Sequence, residues 1–141
     1  MKSDRVNNAL QNFRLAFASL EQFLTEPIRT NRDKAGVIQA FEFTYELAWK
    51  TFQKIAQEEG LRVATPRQAF SSALQAGYIP PAEEARWMNM MQDRNLTSYT
   101  YHESLATEIV ERIRTIYFPT LKAAMNRLEM QMASGSEEHS S

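Results

Sequence analysis

The 141-residue chain has no cysteine, four glycines, five prolines and two histidines. Without cysteine there is no disulfide framework, no thiol nucleophile and no cysteine-ligated zinc. The compartment is then unmarked by redox chemistry. Three of the four glycines lie near expected helix ends, so no Gly-rich loop of the P-loop or dinucleotide-binding kind is present. No Gly-x-Ser-x-Gly elbow occurs either. A di-iron bundle needs Glu-x-x-His pairs on its helices, but His102 follows Tyr99 by three residues and His139 lies in the polar end. No metal and no cofactor are therefore expected. Charge of one sign is also missing: the net charge of −1 argues against binding nucleic acid through bulk positive charge, while local basic clusters leave a nuclease open. No apolar run approaches ~18 residues, and MKSDRVNNAL lacks the apolar core of a signal peptide, which makes a cytoplasmic protein the expectation.

Apolar content of 43% and charged content of 23% belong to an ordinary folded domain, long enough to bury about two-thirds of its unfolded surface. One stretch organises it: GVIQAFEFTYELAWKTFQKIAQEEG, from Gly36 to Gly60. Ile38, Phe41, Tyr45, Ala48, Phe52 and Ile55 step by three and four, the seam of an amphipathic helix. Val37, Ala40, Phe43, Leu47, Trp49 and Ala56 cover most of the remaining circumference. A helix so apolar is covered on nearly all sides, and the expectation is that a single bundle cannot hide it and a second polypeptide must. Only Gln39, Glu42, Glu46, Lys50 and Gln53 form a polar stripe.

Before it, Val6, Leu10, Phe13, Phe17, Leu20 and Leu24 define a first helix over about 3–24, with Ser3 as its N-cap. TEPIRTNRDK reads as a loop broken by Pro27, and the second helix is expected from near Asp33 to a left-handed cap at Gly60. Thr65-Pro66-Arg67-Gln68 has the form of a capping box for a short helix ending at Gly77. A fourth helix starts at Pro80-Pro81, with Trp87, Met88 and Met91 on its apolar face and Arg94 continuing that spacing. The last helix is expected to open with a second capping box, Thr100 to Glu103, and to kink at Pro119. No stretch alternates with period two. The pattern predicts an all-α fold: an antiparallel four-helix up-and-down bundle with one additional short helix, about five helices. It forms a single domain over 1–132, followed by a flexible polar tail over 133–141.

Two constellations can carry chemistry. Arg94 sits ahead of a short polar link, with Tyr101 and His102 expected in the first turn of the last helix. A guanidinium beside free helical amides makes an anion site there, suited to phosphate. The alternative is that Arg94 pairs with Asp93 or Glu42 and simply joins two helices. Glu42, Glu46 and Lys50 are either a routine surface stripe or a pair of carboxylates for a cationic or hydroxyl-rich ligand. Trp49 and Trp87 read first as core or interface.

GVIQAFEFTYELAWKTF, TPRQAFSSALQAGYI, DRNLTSYTY and YFPTL, in that order across roughly residues 5–130, resemble the small helical nucleotidyltransferase substrate-binding proteins of the wider HEPN group. The resemblance implies a helical bundle, similar to the C-terminal domain of kanamycin nucleotidyltransferase. It further implies a homodimer that pairs with a separately encoded minimal nucleotidyltransferase. Glu42, Glu46, Trp49, Arg94 and Tyr101 are then the expected substrate-binding residues, with a nucleotide or RNA at the Arg94–Tyr101 corner. Related members are HepT-type toxins that cut RNA with an Arg-x4-His motif, often followed by x-Tyr. On that motif Arg94 and Asn95 match, while Tyr99 stands where the histidine belongs. A phenol, with pKa near ~10, exchanges protons poorly where an imidazole does so well. If the chain cleaves RNA, the candidates are Arg94, Asn95, Tyr99 and His102. Tyr101 matches the tyrosine that partner transferases adenylylate in some related toxins.

Overall fold

Residues repeating by three and four become helix wherever proline and glycine allow, and the capping residues mark the ends. The computed structural model describes the backbone of residues 4–140 and the side chains of residues 4–132. Its helices are α1 (Asp4–Thr25), α2 (Asn31–Glu58), α3 (Pro66–Ala76), α4 (Glu84–Leu96), α5 (Glu103–Arg112) and α6 (Phe118–Ser140). Short 3-10 turns at Pro81–Glu83 and Thr97–Tyr99 flank α4, and a π turn at Ile113–Tyr117 joins α5 to α6 as one continuous rod. Four long rods, α1, α2, α4 and α5–α6, form the antiparallel up-and-down bundle, with α3 as the additional short helix. There is no strand among the described residues. The expected Ser3 cap and the side chains of the expected polar tail lie outside the described residues.

Several helix ends differ from the pattern reading, each for a local reason. The start of α2 is Asn31, not Asp33. Thr30 is the cap: its hydroxyl accepts from the Asp33 amide at 3.0 Å, and the Asp33 carboxylate accepts from the Thr30 amide at 2.9 Å. That reciprocal pair is a capping box with aspartate in the glutamate position, two donors satisfied at once. The amides of Arg29 and Thr30, both donating to the carboxylate, hold Asp33 below the usual carboxylate range. Thr65 caps α3 as expected, but Gln68 reaches the Ala64 amide rather than that of Thr65. Thr100 is no cap, because its hydroxyl donates to the Thr97 carbonyl, and α5 begins instead behind His102, which makes no side-chain cap bond. Gly60 and Gly77 take the left-handed conformations (φ +85° and +88°) that close α2 and α3.

The largest correction concerns α2. Val37, Ala40, Trp49 and Ala56, for which the pattern demands a second polypeptide, are buried within this one chain. The neighbouring helices surround α2, and the aromatic rings on them fill the gaps. Phe52 packs edge-on against Trp87 at 5.8 Å between ring centroids, Phe70 lies 5.0 Å from Trp87, and Phe41 stacks on Tyr117 at 5.7 Å. Even the polar residues of the buried faces are accommodated: Thr44 and Thr51 donate to the carbonyls of Ala40 and Leu47, one turn back. Of the large apolar side chains of α2, Phe43, 58% exposed, and half-buried Leu47 remain uncovered, beside Leu15 of α1.

On α4 the core residues are Trp87 and Met90, while Met88 and Met91 are half-buried, so the apolar face is rotated slightly from the expected one. The Pro119 kink takes the form of the π turn. Pro119 has no amide and its ring crowds the turn before it; the wider turn relieves this, with the Phe118 amide bonding to the Ile113 carbonyl five residues back. The π turn also directs Tyr117 inward, where its hydroxyl donates to the buried carboxylate of Asp93. Arg112 closes on the same carboxylate with two bonds, at 2.6 and 3.2 Å. This cluster fastens α4 to the last rod. Replacing Tyr117 by Phe removes a donor to a charged acceptor and is expected to cost about 2 kcal/mol. Breaking the exposed Arg114–Glu111 pair is expected to cost no more than about 0.5 kcal/mol. Urea unfolding of the two variants tests the contrast.

Candidate functional site

Arg94 stands one residue after Asp93 in the last turn of α4, so the bond network that fixes Asp93 also fixes the direction in which Arg94 leaves the helix. Its guanidinium crosses to α2, where Nη1 lies 3.1 Å from Glu42 Oε2. Of the two partners the spacing leaves open, Glu42 is the one taken, since Asp93 is occupied by Arg112 and Tyr117. Thr97, in the 3-10 turn, joins them: Arg94 Nη1 donates to its hydroxyl at 3.1 Å, and the hydroxyl lies 3.1 Å from Glu42 Oε2. Thr97 is not among the residues the sequence singles out. Its position three residues after Arg94 is the available signal, because a threonine just past a helix end commonly bonds back to the last turn, as Thr97 does to the Arg94 carbonyl. Arg94 Nε is buried with no acceptor among the described residues.

Arg94 and Asn95 form one wall of a groove of about 550 Å³; Tyr45 and Glu46 of α2 and Thr65 and Arg67 at the start of α3 form the other. Glu46 is held at the lip. Its Oε2 accepts from Trp49 Nε1 at 3.1 Å and lies 3.9 Å from Lys50 Nζ. Trp49 itself, 9% exposed, is enclosed, so it orients Glu46 rather than offering a face to a ligand. Arg67 is absent from the expected site residues; it makes no ion pair among the described residues and brings a second guanidinium to the groove. The Tyr45 hydroxyl is pushed up to about 12 by burial, reinforced by the Glu46 carboxylate and opposed by the Arg94 guanidinium. It therefore stays protonated throughout the neutral range.

The tyrosines of the link lie elsewhere. Tyr99 is 53% exposed and Tyr101 77% exposed, on the turn ahead of α5. Tyr101 packs its ring against that of His102, 4.4 Å between centroids, and lines a small separate pocket of about 130 Å³ with Asn31, Ile38 and Glu103. Arg94 and Tyr101 thus face different cavities, and no described hydrogen bond links Tyr99, Tyr101 or His102 to Arg94. Among the described residues no group of three or more acidic or histidine side chains is placed to hold a metal ion, and no helix is long and apolar enough to cross a membrane.

The chain is thus an all-α bundle in which Arg94, at the end of α4, is turned onto Glu42 of α2. The family described as "Nucleotidyltransferase substrate binding protein like" matches residues 8–130, and the chain belongs to it. It is similar to a Haemophilus influenzae protein described as "Probable ribonuclease HepT", 29% identical over 129 residues, which cover 80% of this chain and 86% of that one. A crystal structure of a Thermus thermophilus protein shares the fold with a TM-score of 0.73 and 32% identity, covering 82% of this chain and 98% of the other.

The buried tyrosines imply an alkaline limit. Tyr117, like Tyr45, is shifted upward, first by burial and then by its bond to Asp93. Both hydroxyls stay protonated in the folded chain while the unfolded chain releases these protons near the ordinary value of 10. Stability from these groups is complete below pH 10 and falls as pH rises towards 12. Denaturant unfolding at a series of alkaline pH values is expected to show this fall, with a shallower slope for Tyr45→Phe.

Proposed function

We propose that this chain is the non-catalytic, substrate-binding subunit of a separately encoded minimal nucleotidyltransferase, acting as a homodimer. The observation that carries the reading is Tyr99. At the position where the RNA-cleavage motif of related toxins has an imidazole, this chain presents an exposed phenol, a poor proton exchanger at neutral pH. Arg94 is meanwhile tied to Glu42 and Thr97, which fixes the direction of its guanidinium along the wall of the groove. The groove offers Arg67 and Arg94 to an anionic group and Glu46 to a cationic or hydroxyl-bearing one. Support for the homodimer comes from the strip that α2 leaves bare, where Phe43 and Leu15 are exposed beside Leu47 and line a shallow apolar depression. Light scattering on the purified chain is expected to give twice the chain mass, and a separately encoded minimal nucleotidyltransferase is expected to co-purify with it. A monomer with no affinity for that transferase overturns the proposal.

The second reading, a ribonuclease toxin, is favoured by the relative described as a probable ribonuclease. In that case expression of the chain alone arrests growth, and Arg94→Ala relieves the arrest. Harmless expression together with intact RNA in the purified protein's presence eliminates it.

Tyr101 suits modification in either setting, since its hydroxyl is open to solvent. In adenylylation the phenol oxygen attacks the α-phosphorus of ATP, the bond to the β-phosphate oxygen breaks, and pyrophosphate leaves with the phenolic proton passing to solvent. Incubation with the active transferase and ATP is expected to add one AMP, located on Tyr101 by mass spectrometry and absent from Tyr101→Phe.

A further inference from the structure

A second cavity, of about 280 Å³, opens between α3 and α4 on the other side of Arg67 from the groove. Its walls are mostly apolar, from Phe70 and Leu74 of α3, Ile79, and Trp87 and Met88 of α4, with Ser71 of α3 among them. Two observations set it apart from an ordinary packing defect. Trp87 is fully buried, yet its indole Nε1 has no acceptor among the described residues. A buried donor without a partner is costly and is usually answered by a water or a bound group. The rim also carries a cation, Arg67, that makes no ion pair among the described residues and stands at the start of α3, where the helix dipole adds positive potential. One carboxylate, Glu84, stands opposite at the start of α4.

We propose that this cavity binds a small organic anion with a compact apolar body, the body lying against Phe70, Leu74 and Trp87 and the carboxylate or phosphate meeting Arg67. Apolar walls with a few polar groups are the usual form of a small-molecule site, and the size matches a ligand of one ring. The rim guanidinium calls for a charged acceptor on the ligand, and Trp87 in the wall lies close enough to report its arrival. Glu84 opposes the anion and limits affinity. The site shares only Arg67 with the groove, so it does not depend on the transferase reading.

The probe is phenylacetate, added to the full chain labelled with ¹⁵N. The chain has two tryptophans, so Trp49→Phe assigns the two indole signals. Phenylacetate is expected to shift the Trp87 Nε1–H signal saturably and to leave that of Trp49 in place. Arg67→Gln, an exposed substitution, is expected to weaken binding about tenfold, and Glu84→Gln to tighten it. Phenylacetamide, uncharged and of the same shape, is expected to bind about as weakly as phenylacetate does to Arg67→Gln. An absence of saturable change at Trp87 overturns the site. Equal binding of acid and amide, or indifference to Arg67→Gln, overturns the anionic ligand.

Discussion

The structure depends on the need to enclose α2. A 28-residue helix with apolar side chains around most of its circumference is unstable in water unless something lies against each side. Here one chain does almost all of it: twelve residues of α2 are buried, including Val37 and Trp49 on the side away from the main seam. Burial at roughly 25 cal/mol per Å² of apolar surface makes this the dominant favourable term and forces the other helices to surround α2. The internal threonine bonds of α2 follow from the same constraint, since a hydroxyl that returns to its own helix asks nothing of the neighbours.

Enclosure decides where the polar groups emerge. Because α4 is held by Asp93 to Arg112 and Tyr117, and the turn before it by Glu83 to Arg127, its end is placed firmly opposite the polar stripe of α2. Arg94 then meets Glu42, with both side chains about one-third exposed. A pair at that depth is partly screened and contributes little to stability, so its value lies in orientation. It leaves Arg67 as the cation without an ion pair, among the described residues, between the polar groove and the apolar cavity. A single chain thus has two adjoining cavities of different polarity, with Arg67 lining both.

Much of this is readable along the chain. Periodicity marks the helices, glycine marks two of their ends, and Pro119 marks the irregular turn. The misjudged ends are those with less familiar capping chemistry: aspartate instead of glutamate at Asp33, and a threonine at Thr100 that turns back to Thr97 rather than forward. The expected need for a second polypeptide around α2 follows from counting apolar residues without knowing how many helices one chain brings to bear. Phe70, Trp87 and Tyr117 pack on Phe41, Tyr45 and Phe52 while α1 lies along α2 as well, and no local pattern says which face of α2 each will reach. Thr97 and Arg67 escape a reading of the sequence for the same reason: their roles exist only where separate helices converge.

Helix formation and the all-α class follow from the order of residues, because local propensity and hydrophobic spacing act over a few turns of one helix. Membership in the substrate-binding family is carried by motifs spread over residues 8–130. Whether Arg94 pairs with Asp93 or Glu42, whether Trp49 is a platform or a support, and whether Arg94 and Tyr101 share a pocket were decided only by packing. Those outcomes depend on contacts between residues tens of positions apart, where a rotation of one helix by part of a turn changes which side chains meet.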